Sequence, residues 1–344
     1  MSKDATRAFA PGRVNLIGEH TDYNGGLALP FAVRAGVTVT ATALRHPTVH
    51  VVALDLNQED RFPLDGVRRV RGWRAYARGT IAELQAAGVR LPGVSLQITG
   101  DLPRGAGLSS SAALTVALCL ALAALAETEL LNRMQLARLC QRVENDWVGA
   151  QTGLLDQICS LFAEPDHAVL IDFQTLALAQ FPLELGSHRL VTLSSGERER
   201  SARSAYNQRR QECVEAAHRM GAESLRGALI QDLHMLPDVL ARRAKHVITE
   251  IGRVQQAVAA LEQRDFERLG RLLDLSHASL RDDFEVSSEA VEAAVLELKA
   301  AGALGARLIG GGFGGMVLGL MPPGAAAPLR ATVVAPGPGA HLVG

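Results

Sequence analysis

The sequence predicts an α+β fold in two domains, and three observations carry that prediction. The chain has 344 residues, long for a single core. Its first half is rich in short runs that alternate apolar and polar residues. From about residue 200 it is mostly long stretches with helical spacing, closing on two apolar strands around a glycine cluster.

The elements follow in order. In "GVTVTATAL" (36–44), Val37 and Val39 alternate with Thr38 and Thr40, the period of a half-exposed strand. "VHVVAL" (49–54) is a second strand, "WRAYARGTIAELQAAG" (73–88) a helix ending at Gly88, and "GVSLQITGDLP" (93–103) a third strand. The apolar run Ala112–Ala126 is 15 residues long, too short to span a bilayer, and reads as a buried core helix. "MQLARLCQRVENDW" (134–147) places Leu136, Leu139, Cys140, Val143 and Trp147 on one helical face. Gly149 and Gly153 interrupt it before a second helix, "LLDQICSLF", and a strand, "HAVLIDF" (167–173). Helices follow at 203–220, 238–263, 265–280 and 288–301. The chain then reads as two strands in "ARLIGGGFGGMVLGLM" and a last strand in "LRATVV", flanked by the loops 322–328 and 335–340.

Composition narrows the partners. The chain is 48% hydrophobic and 21% charged, an ordinary globular balance, and its formal net charge of -1 gives no reason to expect nucleic acid or another polyanion. Its basic residues are nearly all arginine, with Lys3, Lys245 and Lys299 the exceptions; we read this as compositional bias. Cys119, Cys140, Cys159 and Cys213 are scattered without a C-x-x-C, as in a protein with reduced thiols in the cytoplasm. The start "MSKDATRAFAPGR" has no apolar segment of the secretory kind, so neither export nor a membrane partner is expected. No heptad or long apolar patch argues for a dimer, and a monomer is the expectation.

Four stretches carry chemistry. "GRVNLIGEHTDYNGG" (12–26) crowds Arg13, Asn15, Glu19, His20 and Asp22 against an Asn-Gly-Gly turn. "PRGAGLSSSAAL" (103–114) lies between a strand and an apolar helix, where backbone N–H groups and serine hydroxyls can bind phosphate oxygens. It fails the P-loop pattern, because Ala106 and Gly107 stand where Lys and Ser/Thr should follow Gly105. A helix entry with Ser109 or Ser110 as N-cap explains the same residues equally well. "GGGFGG" (310–315) contains G-x-G-x-x-G but opens no helix; taken alone, it is a hairpin turn. Asp156 opens a helix, where the dipole favours a carboxylate, and alone it reads as dipole compensation. Glu144 sits near the end of the preceding helix, where an anion is less comfortable and a cation partner more often follows.

Together these stretches resemble the GHMP family of small-molecule kinases, and within it the galactokinase branch. The likeness runs from about residue 8 to 320 and includes "CQRVENDWVGAQTGLLDQ" and "SHASLRDDFEVS". It implies an N-terminal ribosomal-protein-S5-like domain (1–182) and a C-terminal ferredoxin-like domain (183–344), with sugar and nucleotide between them. It further implies transfer of the γ-phosphate of ATP, as its Mg2+ complex, to the 1-hydroxyl of α-D-galactose. A sibling sugar 1-kinase, using N-acetylgalactosamine or another sugar, and a non-catalytic sensor of galactose and ATP are the alternatives.

By the same resemblance, Asp156 is the base and Arg13 lies beside the reacting oxygen. Glu19, His20, Asp22, Gly153 and Tyr206 line the sugar. Gly105, Ala106, Gly107, Leu108, Ser109, Ser110 and Ser111 cradle phosphate, and Trp73 and Tyr76 lie near adenine. Ser111, or less directly Ser110, and Glu144 hold Mg2+. The sequence departs from the family pattern at Thr115, Thr152, Ile309 and Met316, where Glu, Cys, Thr and Cys are common.

Overall fold

Twenty-one regular elements and a π-turn build the molecule, which a computed structural model describes at residues 5–102, 107–127, 131–198 and 202–344. The first body contains β1 (Ala5–Asn15), β2 (Leu27–Ala28), β3 (Pro30–Leu44), β4 (Thr48–Ala53), β5 (Gln58–Pro63), α1 (Arg74–Ala86) and β6 (Gly93–Gly100). It continues with α2 (Ser110–Leu125), α3 (Arg133–Arg142), α4 (Leu155–Phe162), β7 (His167–Asp172) and β8 (Ala177–Pro182). The second contains β9 (Arg189–Arg198), α5 (Ala202–Arg219), α6 (Asp238–Glu262), α7 (Phe266–Asp282), α8 (Glu289–Ala300), β10 (Gly305–Ile309), β11 (Gly314–Met321) and β12 (Thr332–Val334). A final strand, β13 (His341–Leu342), ends the chain.

The α+β expectation holds. One six-stranded sheet has the order β13-β1-β3-β6-β4-β5, a second has β10-β11-β9-β12, and a small one has β2-β7-β8. All pairings are antiparallel except β4 with β6. Helix α2 is apolar on every side because it is enclosed: Val116, Ala117, Leu118, Ala121 and Leu122 are fully buried against the first sheet. That is the core helix the sequence implied, and among the described residues no helix is long and apolar enough to cross a membrane.

Three local features depart from the sequence reading. Residues expected to continue one helix to Trp147 instead leave α3 at Arg142 and form a π-turn over Val143–Val148, ended by Gly149 in the left-handed region. π-turns widen the helix by one residue and concentrate at functional sites. This one carries Glu144 into the interior. The pairing of β1 with β3 shifts register between Pro11 and Arg13: Gly12 alone faces residues 33–35, so the extra residues bulge from β3 and pairing resumes with Arg13 opposite Ala32. The tail returns to the first body: β13 pairs with β1, and Gly339 and Ala340 bond to Ala163 and Ser160, so the final residues cover an edge of the first sheet.

The two bodies meet through shared packing. Val254, Ala257, Leu269, Leu273 and Leu318 belong to the same apolar core as β1, β3 and α2, while Val191, Cys213, Val247, Leu280 and Phe284 form a second core behind them. Helix α7 approaches β10 so closely that a Cβ at Gly270 would lie 2.7 Å from the Leu304 backbone. Because β10 carries the chain into the glycine turn at 310–312, this contact fixes that turn's height. Gly270→Ala is expected to destabilise the protein by about 1–3 kcal/mol through overpacking, read as a lower urea midpoint at unchanged m-value.

Candidate active site

A cavity of about 240 Å³ opens between the bodies, lined by Arg13, Glu19, His20, Asp22, Gly153, Asp156, Arg203, Tyr206 and Gly311, among others. Arg13, near the end of β1 and just past that register shift, lines it. The guanidinium Nε donates to Asp156 Oδ1 at 2.8 Å and Nη1 donates to the Gly107 carbonyl at 2.7 Å. Asp156 sits in the first turn of α4, where the helix start favours its charge. Its second oxygen accepts from Ser109 Oγ at 2.6 Å. Residues 143 positions apart therefore share one part-buried ion pair, with the loop before α2 bonded to both partners through Gly107 and Ser109.

Ser109 stands at the N-cap position of α2 without making a capping bond. Its backbone is left-handed (φ 58°), and its hydroxyl goes to Asp156 instead. The helix-entry alternative for this serine is thereby set aside. Leu108 is buried and its carbonyl accepts from Arg13 N–H. Gly105 and Ala106 lie outside the described residues.

The turn after β1 is held mostly by the second body. Glu19 Oε1 accepts from Gly310 N–H at 2.8 Å and lies 3.5 Å from Arg307 Nη2. Arg307, fully buried in β10, also donates to the carbonyls of Asn15 and Leu16. Glu250 of α6 accepts from Gly18 N–H at 3.0 Å, and His246, one turn earlier, lies 3.1 Å from the Glu19 carbonyl. Sequence reasoning named none of Arg307, Glu250 and His246. A usable signal existed only for Arg307, an arginine inside the otherwise apolar "GARLI".

His20 is buried and stacks among Tyr206, Tyr23 and Phe284. Burial, with His246 nearby, lowers its pKa to about 3, so the imidazole is neutral. Nδ1 meets the Tyr23 hydroxyl at 2.8 Å, and Nε2 has no hydrogen-bond partner among the described residues. Asp22 is raised to about 6, first by burial and then by Asp156. Gly153 is packed against it: a Cβ at 153 would lie 1.9 Å from Asp22 Oδ2.

Beside the cavity, Glu144 accepts from Ser111 Oγ at 3.0 Å and from Gln157 Nε2 at 2.8 Å. Burial, then Asp156, pushes its pKa up to about 7. A second cavity, about 210 Å³ and mostly apolar, is lined by Val37, Leu56, Trp73, Ile98, Ser110 and Leu114, among others. Trp73 lines this cavity. Tyr76 does not line this cavity; its hydroxyl bonds to Ser111, close to Glu144.

The chain matches the family model for the galactokinase galactose-binding signature over residues 2–43, and those for the GHMP kinases N terminal domain and C terminal over 75–164 and 257–339. A galactokinase from Roseiflexus sp. is 43% identical over 323 residues, spanning 91% of this chain and 82% of that protein. One from Mycobacterium bovis is 44% identical over 320 residues, spanning 91% and 88%. The chain belongs to the galactokinase family. It is accordingly an ATP-dependent sugar kinase. The structure of a Lactococcus lactis galactokinase complexed with galactose superposes with a TM-score of 0.91 at 32% identity, covering 99% of this chain and 95% of that one. Mevalonate kinase from Methanococcus jannaschii, at 16% identity and a TM-score of 0.65, shares the GHMP fold.

The Gly153–Asp22 contact yields a direct check in this galactokinase. Gly153→Ala is expected to raise the KM for galactose at least about tenfold by displacing the Asp22 carboxylate, the loss of one charged hydrogen bond. The KM for ATP should stay close to wild type in the same assay.

Proposed function

We propose that the chain phosphorylates galactose at its 1-hydroxyl, with Glu19, His20 and Asp22 holding the sugar and Arg13 and Asp156 acting on the reacting oxygen. The observation that carries the reading is the Arg13–Asp156 pair, on the floor of a sugar-sized cavity and bonded to the phosphate loop. A neutral sugar is recognised by hydrogen bonds, and a carboxylate can accept from two adjacent hydroxyls. The relatives support galactose as that sugar.

Phosphoryl transfer passes through a loose transition state, so alignment and charge stabilisation count for more than early proton removal. Asp156 is fixed on both oxygens, yet each retains a lone pair for the sugar hydroxyl, which it orients and whose proton it takes. Arg13 spends Nε and Nη1 on the protein, and in our reading its Nη2 faces the transferred phosphoryl group.

The Mg2+ of the nucleotide fits at Ser111 and Glu144. A buried carboxylate pushed up to about 7 and bonded to a serine hydroxyl is a donor set suited to a hard cation. Among the described residues no cluster of three or more His, Cys, Asp or Glu is arranged to hold a metal. A metal carried on phosphate oxygens needs only one or two protein ligands, and it neutralises charge on the phosphates it bridges. Trp73 and the apolar cavity behind Ser110 would take the adenine.

Two experiments test this. Purified protein with galactose and MgATP should release ADP, and Asp156→Ala should lower kcat by at least about 10²-fold, the low end for loss of a general base. Near-normal turnover by that variant would remove Asp156 from the chemistry. The second concerns pH. Asp22 is ionised above about 6 and protonated below it, and the ionised form is the stronger acceptor. Galactose affinity without nucleotide, measured by calorimetry, should therefore weaken as pH falls from 7.5 to 5, and Asp22→Asn should flatten the dependence.

A further inference from the structure

The cavity holds more negative than positive charge before any nucleotide arrives. Glu19, Asp22 and Asp156 line it, and Glu144 lies beside it. Arg13 and Arg203 are the lining cations, and Arg13 is already committed to Asp156 and the Gly107 carbonyl. Arg307 is buried behind Glu19 and bonded to backbone. Arg210, outside the lining, donates to the carbonyls of Gln151 and Thr152. A triphosphate entering here brings further negative charge, and some cation must meet it.

Arg203 meets the requirements of position and availability. It lies in the first turn of α5, on the cavity wall opposite the first body, and its side chain is exposed. Nη1 donates to the Val148 carbonyl at 2.9 Å, the last residue of the π-turn that carries Glu144. No carboxylate pairs with it among the described residues. It is also near the metal-side cluster. The Tyr76 hydroxyl, bonded to Ser111 and pushed up to about 12 by burial and Glu144, is pulled back down by Arg203. Arg203 thus lines the cavity and is anchored through Nη1 to the residue that ends the π-turn of Glu144, with no second hydrogen bond among the described residues.

We propose that Arg203 is a phosphate-binding residue of this kinase, closing on the γ-phosphate from the side opposite Arg13. The proposal rests on the kinase reading above. With Arg13 held by Asp156, a second guanidinium gives the three equatorial oxygens of the transferring group a donor that the phosphate loop does not supply. Sequence reading passed over it because "SARSAYNQRR" offers three arginines of equal standing, and only the fold selects the one on the cavity wall.

The γ-phosphate is what distinguishes ATP from ADP, and the test uses that difference. Wild-type protein, Arg203→Ala and Arg203→Lys are compared for ATP and ADP affinity with magnesium, galactose affinity, kcat at saturation and melting temperature. Arg203→Ala should weaken ATP about tenfold while ADP and galactose stay within about twofold, the loss of one charge-assisted contact. Its kcat should fall about tenfold or more, and Lys, keeping the charge without the fork, should restore part of it. Equal weakening of ATP and ADP, or no weakening of either, overturns the proposal. So does a lower melting temperature with an unchanged ATP-to-ADP ratio, which would assign Arg203 to holding the Val148 carbonyl. Absence of wild-type turnover on galactose would instead fault the kinase reading, because the affinity ratio is read without turnover.

Discussion

A buried guanidinium and a half-buried carboxylate in contact are the constraint around which this molecule is arranged. Arg13 and Asp156 come from a strand and a helix start that share no local sequence, and each is unstable in the interior without the other. Removing one partner of such a pair typically costs about 3–5 kcal/mol, because the remaining charge is left uncompensated. Several features exist in service of it. Arg13 follows the register shift between β1 and β3, and the left-handed Ser109 brings its hydroxyl to Asp156. The Gly107 carbonyl caps the guanidinium's other edge. The pair is poorly placed as a stabiliser, since an apolar pair would serve a core equally well. It is well placed as a fixed electrostatic element in the wall of the cavity between the bodies.

The sugar turn obeys a second, related constraint. Its backbone at residues 15–19 carries polar groups that the first body does not satisfy. The second body supplies the partners: Arg307 to Asn15 and Leu16, Glu250 to Gly18, and His246 to Glu19. Glu250 is held near a pKa of about 2 despite its burial, by Arg253, His246, Arg307 and Ser276, so it stays an acceptor at any working pH. Burial holds His246 near 4, so it stays neutral at working pH. The two bodies are thus joined by the same bonds that shape the cavity surface.

Much of this was legible in the residues, for reasons that are local. Helices α6, α7 and α8 announce themselves by apolar periodicity, the core helix α2 by uniform apolarity, and β3, β4 and β6 by alternation. The chemistry-bearing stretches could be picked out because polar residues crowd them more than a surface turn requires. Their assignment to particular roles came from resemblance. What stayed hidden depends on distant partners. Strand β1 contains Pro11 and Gly12 and lacks clean alternation, and β13 is two residues long and exists only because β1 offers an edge. The π-turn differs from an α-helix by one residue's hydrogen bond, which apolar spacing does not register. Ser109 reads as a cap because nothing nearby in sequence says that Asp156, 47 positions on, accepts its hydrogen bond.

The central claim is that Arg13 and Asp156 converge on one substrate oxygen. A crystal structure of the protein with galactose and a non-hydrolysable ATP analogue measures that directly. The account predicts the sugar's 1-oxygen within hydrogen-bond reach of Asp156, about 2.6–3.2 Å, with the Arg13 guanidinium beside the terminal phosphate. A sugar seated with its 1-oxygen toward the Gly18–Glu19 turn, and the phosphate remote from Arg13, would contradict it.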